Sequence, residues 1–186
     1  MQRFAAALVL FAALGRAAYA DPGHDAMRAV AAAFSAAHSF RGTVIVPSGG
    51  QLQIDFVAPD RYRMRMPMGE VVVIGGTTYM NVSGQWMQLA SRAPGAKDAL
   101  ANLRAPAGTT AALDRAKVVD LGPAMLDGRP MHRWKIETTL DGGPVTSTMW
   151  VGRDNLPYRN EIVSNKGRAT VLYSGYNSPI AISAPA

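Results

Sequence analysis

Hydrophobic and polar residues alternate along much of this chain, most regularly between residues 51 and 89. Leu52, Ile54 and Phe56 are interleaved with Gln51, Gln53 and Asp55, the period of a strand with one dry face and one wet face. After Ala58-Pro59-Asp60 the alternation resumes with Tyr62, Met64 and Met66 on one side and Arg61, Arg63 and Arg65 on the other, and Pro67 ends it. Val71 to Ile74 is continuously apolar. Gly75-Gly76 supplies the positive φ of a tight turn into residues 77 to 82, and Ser83-Gly84 turns the chain into Trp86 to Leu89. The pattern is a meander whose apolar, partly aromatic face must be covered by something.

The flanks supply the candidates. Asp21-Pro22 opens a helix, aspartate as cap and proline at the first helical position, and Met27, Val30, Ala31, Phe34 and Ala37 recur at helical spacing. This predicts a helix over about 22 to 38, followed by a strand over 43 to 46. Residues 91 to 116 lose the alternation and are rich in alanine, glycine and proline. A short helix over about 96 to 104, carrying Leu100 and Leu103, and a second turn at Leu113 are expected there, as a movable cover. Strands return at 117 to 121, 131 to 140, 144 to 151, 158 to 164, 169 to 174 and 179 to 182, with turns at Asp127-Gly128, Asp141-Gly142-Gly143 and Asn165-Lys166-Gly167. The sum is a mainly β chain: a single antiparallel sheet of roughly ten strands, long enough to curl, preceded by one helix and interrupted by a helical insertion.

Composition narrows the setting. Arg3, an apolar run from Ala5 to Leu14 and the small residues of Ala18-Tyr19-Ala20 predict a signal peptide over 1 to 20, leaving a single domain from 21 to 186. With no cysteine there is no disulfide, thiolate metal site or cysteine nucleophile, and an exported domain without disulfides suits a bacterial periplasm. The formal charge of +6 becomes +4 without Arg3 and Arg16, an excess suited to anionic head groups or an acidic partner. No basic helix or aromatic-basic motif points to nucleic acid.

Nine methionines follow the initiator. Met64, Met66, Met80, Met87, Met125, Met131 and Met149 form either ordinary core or the adaptable lining of an apolar cavity. Tyr62, Tyr79, Trp86, Trp134 and Trp150 are candidates for its walls or rim. The arginine stripe reads as a solvated outer face in preference to a docking patch. Met64-x-Met66-x-Met68 has the softness to hold Cu(I), but Pro67 redirects Met68, so no metal or other cofactor is expected. The three histidines lie in no HExxH or paired spacing and there is no GxSxG; Asp127 and Asp154 sit in turns. No enzyme and no catalytic residue is expected.

The run Phe56, Pro59, Tyr62-Arg63-Met64, Gly69-Glu70, Val71 to Ile74, Gly75-Gly76 and Tyr79 resembles the periplasmic outer-membrane lipoprotein carrier family, the LolA-like superfamily. Trp150 to Arg159 and the closing stretch Pro179 to Pro185 add to the resemblance, which spans nearly all of 21 to 186. It implies a half-open β-barrel, apolar on its concave side, with the first helix and the insertion at about 91 to 116 as a lid. It implies noncatalytic periplasmic binding or transport of a lipid, a lipoprotein acyl chain or another hydrophobic ligand. The alternative is a ligand-sensing or accessory domain of an envelope complex acting through protein contacts. The expected ligand-binding set is Phe56, Tyr62, Met64, Met66, Tyr79 and Trp86 in the wall, Phe34 and Leu100 in the lid, with Trp134 and Met149. The expected partners are a lipid or acylated protein and a membrane-bound donor or acceptor protein, the chain itself being a monomer.

Overall fold

The computed structural model describes residues 21–47, 49–89, 113–140 and 143–185. The expected signal peptide, the helix at 96 to 104 and Leu100 lie outside them. Helix α1 spans Pro22–Ala36, and the Asp21 carboxylate accepts from the Gly23 amide at 2.9 Å as its cap. The strands are β1 (Ser39–Ile45), β2 (Gln51–Val57), β3 (Arg61–Met66), β4 (Gly69–Ile74), β5 (Thr77–Val82) and β6 (Gln85–Leu89). After a helical stretch at 113–115 come β7 (Lys117–Leu126), β8 (Arg129–Leu140), β9 (Gly143–Val151), β10 (Pro157–Ser164) and β11 (Gly167–Ser174).

All eleven strands form one antiparallel sheet in the order β6-β5-β4-β3-β2-β1-β11-β10-β9-β8-β7. It consists of two meanders joined where the first strand meets the last, with Arg41 to Ile45 opposite Ser174 to Thr170. The sheet curls without closing, so the chain adopts the half-open barrel with helices expected of it. Among the described residues, β6 and β7 are its two edges.

Helix α1 lies on the concave side and links two apolar clusters. Phe34 packs with Phe40, Phe56, Tyr62, Val73 and Tyr173 on one half. Met27 and Val30 pack with Leu113, Ile136, Met149 and Val151 on the other. These helix positions are spaced three and four apart, which places them on one face and explains why a fifteen-residue helix docks here.

Three expectations change. The helix ends at Ala36 and β1 starts at Ser39, four residues before the expected strand, because Phe40 sits opposite Phe56 in the apolar row. β7 runs on to Leu126; a bulge at Gly122, with φ of 77°, absorbs the break expected after Leu121. Residues 179 to 182 form no strand. The tail lies against the convex face, where Arg61 donates to the Ile182 carbonyl at 3.3 Å and Arg63 to that of Ala181 at 3.4 Å, and Ile182 is buried. The strands beneath are already paired on both sides, so no edge was open to it.

Candidate apolar cavity

Cross-strand register decides which side chains share the concave face. One row runs Phe40, Phe56, Tyr62, Val73; the next runs Gly42, Ile54, Met64, Val71, Met80, Met87. The rings of the first row lie 5.1 Å (Phe40–Phe56) and 4.9 Å (Phe56–Tyr62) apart, and Phe34 on α1 reaches Phe40 at 4.9 Å. This aromatic block fills the helix-covered end of the concavity. Phe34, Phe56 and Tyr62, at 3%, 1% and 5% exposure, are packed core in this structure.

Toward the other end of the same strands the face is not filled. A cavity of about 660 Å³ opens there, walled by Val44, Leu52, Met66, Val71, Met80 and Val82. Met66 and Val82 are each 43% exposed at its wall, and Met68, on the β3–β4 turn, is 89% exposed at its rim. Gly69 allows the close passage of β4 by β5: its φ is 153°, and a Cβ there would run into the Asn81 carbonyl. Met64 stands between the two zones, half-buried against the aromatic cluster.

The remaining candidates fall elsewhere. Trp134 faces Met149 across β8 and β9 in the second cluster, and its ring lies 4.9 Å from that of His132. Tyr79 pairs with Val72 and Gln88, and Trp86 with Asn81, in the rows of Arg63 and Arg65. Both therefore lie on the convex face, which corrects their expected place in the concave wall. Within the continuous apolar run of β4, alternation could not be read: Val71 and Val73 face inward and Val72 outward. Val44 and Val82 also line the cavity, and the sequence does not mark them, because an aliphatic residue near a strand end carries no signal until its cross-strand neighbours are known.

Among the described residues Glu70 is the one ionisable residue that lines this cavity, and its carboxylate pairs with the Arg63 guanidinium at 3.1 Å; the ionisable groups that follow stand elsewhere. Asp120 accepts from the Gly122 amide at 2.6 Å and lies 2.5 Å from the His132 ring, contacts that hold its carboxyl below the usual range. A polar cleft of about 870 Å³ lies at the end of β10 and β11. In it the Tyr158 hydroxyl donates to Asp154 at 2.8 Å; burial and that bond raise its pKa. Tyr176, bonded to the Pro157 carbonyl, is raised by burial. Among the described residues no three His, Cys, Asp or Glu side chains stand together as a metal site. Among the described residues no helix is long and apolar enough to cross a membrane.

No protein-family model and no curated protein sequence matches the chain. Solved structures do. The lipoprotein LppX of Mycobacterium tuberculosis superposes with a TM-score of 0.67 at 18% identity, over 88% of this chain and 100% of that one. LprF from Mycobacterium bovis gives 0.63 at 16% identity, over 90% and 98%. MucB gives 0.51 at 20% identity, over 90% of this chain and 62% of its own length. At such identities the likeness is one of fold alone, and it agrees with the half-open barrel with helices expected from the sequence.

Proposed function

We propose that this chain binds an elongated apolar ligand, the acyl chain of a lipid or of a lipoprotein, without catalysis, in the cavity between β1 and β5. The observation that supports this reading is the unfilled apolar end of a concave face whose other end is tightly packed. Its volume of about 660 Å³ is in the range of small-molecule sites. Burying about twelve methylenes gains roughly 10 kcal/mol; an association cost of about 4 kcal/mol or more leaves roughly 6 kcal/mol at most, which corresponds to binding of the order of tens of micromolar or weaker. The polar cleft at the other end is a weaker candidate because the hydroxyls of Tyr158 and Tyr176 are already bonded within the protein.

The same reading has the chain exported to the periplasm as a soluble carrier, with Asp21, the first residue of the expected mature protein, capping α1. On this reading a membrane-bound donor or acceptor exchanges the ligand. The test is native mass spectrometry of delipidated protein spanning 21 to 186, titrated with palmitate and with phosphatidylglycerol. The wild type retains one ligand, and Met66→Arg and Met80→Arg each weaken binding by about tenfold or more. A wild type that binds neither probe while giving a native circular dichroism spectrum overturns the reading.

A further inference from the structure

The convex face gathers most of the basic residues among those described. Register places Arg41, Arg61, Arg63 and Arg65 there on β1 and β3, and Lys117, Arg129, Arg133, Lys135, Arg159 and Arg168 on β7, β8, β10 and β11. Among the described residues four carboxylates lie at strand positions of this face, Asp55, Glu70, Glu137 and Glu161, while Asp127 and Asp154 stand in turns at its end, in one cleft with Arg129 and Leu172. The excess at those strand positions is six positive charges, whereas the other described residues carry four bases against seven acids. This segregation exceeds the three-arginine stripe that the sequence presents as an outer face.

The middle of the same face is apolar. Ile45, Val163 and Leu172, at 41%, 43% and 37% exposure, lie on adjacent strands around the seam where the two meanders meet. Beside them Trp150 pairs with Arg133 on β8 and Arg159 on β10, and the Arg159 guanidinium lies 5.2 Å from the indole centroid. The buried Nε atoms of Arg133 and Arg159 lack a hydrogen-bond partner. On the other flank a groove of about 430 Å³ is lined by Arg41, Arg63 and Arg65 with Asp55 and the tail at 179–181. An apolar centre with tryptophan and arginine around it is the anatomy of a protein interface. A convex surface meets a flat bilayer only along a strip, so a shaped acidic partner makes better use of both flanks.

We propose that the convex face, centred on Leu172 and Trp150 and flanked by Arg133, Arg159 and Arg41, docks an acidic protein segment. This stands apart from the cavity reading, and either can fail alone. The probes are poly-L-glutamate and, separately, vesicles of phosphatidylglycerol with phosphatidylcholine, each titrated into protein spanning 21 to 186. Poly-L-glutamate binding weakens about tenfold between roughly 25 and 150 mM salt. The double variant R133E/R159E weakens it about tenfold further, and R133Q/R159Q, which only removes charge, does so to a lesser degree. R115E/R153E makes the same change in net charge at exposed positions off this face and alters binding less than about twofold. Equal weakening by both charge-reversal pairs, with thermal melts unchanged, overturns the proposal. So does an absence of poly-L-glutamate binding, or vesicle binding that R133E/R159E abolishes while poly-L-glutamate does not compete.

Discussion

Met64 and Met66 are two residues apart on one strand, point the same way and meet different surroundings. Met66 is 43% exposed at the cavity wall, whereas Met64 packs against the aromatic cluster. Met66→Arg is therefore expected to leave the fold intact while removing ligand binding. Met64→Arg forces a guanidinium against packed rings and should lower unfolding free energy by about 2–4 kcal/mol in urea titrations. Asp21 acts through its charge. The neighbouring His24 ring, 2.8 Å away, and the Gly23 amide hold its carboxyl below the ordinary value. A carboxylate so lowered stabilises the fold above its ordinary titration range, and the contribution is lost as pH falls through the lowered value. The wild-type melting temperature should thus fall more steeply than that of Asp21→Asn between about pH 5 and pH 3, read by circular dichroism.

Among the elements, α1 carries the most consequence, because one helix face bridges both apolar clusters. Phe34 touches Phe40, Tyr173 and Tyr176 within 4.9 to 6.3 Å. Phe34→Ala should cost about 3–5 kcal/mol in a denaturant titration and expose the aromatic row to a hydrophobic dye. The tail behaves differently from the expected strand, since its bonds to the sheet come from the arginine side chains and not from a ladder. Those arginines consequently have two roles that sequence alone merges into one: Arg61 and Arg63 hold the tail, while Arg65 and Arg41 flank the buried carboxylate of Asp55 at 3.1 and 3.6 Å.

At the scale of the whole molecule, the sheet is sewn together in its middle by residues 41 to 45 and 170 to 174, far apart in sequence, and left open at β6 and β7. The central strands have partners on both sides and the edges on one. Native-state hydrogen exchange should therefore be slowest in β1 and β11 and fastest, among the strands, in β6. Slower exchange in β6 than in β1 would contradict this ordering of stability.

The alternation of Leu52 to Met66, the capped helix beginning at Asp21-Pro22 and the glycine and aspartate turns are local, and they determined the strand meanders, the helix and the mainly β class. Two-residue periodicity also placed Tyr62, Met64 and Met66 on one face and the arginines on the other. It could not place Tyr79, Trp86 or Val71, because the phase of a short or wholly apolar strand is set by its cross-strand partners. Nor could it separate Phe56 and Tyr62, which became core, from Met66, which lines a cavity. That distinction depends on where α1 lands along the concavity, and so on contacts between residues distant in sequence. The gathering of the basic residues on one convex surface likewise had to wait for the sheet that brings β1, β3, β8 and β10 together.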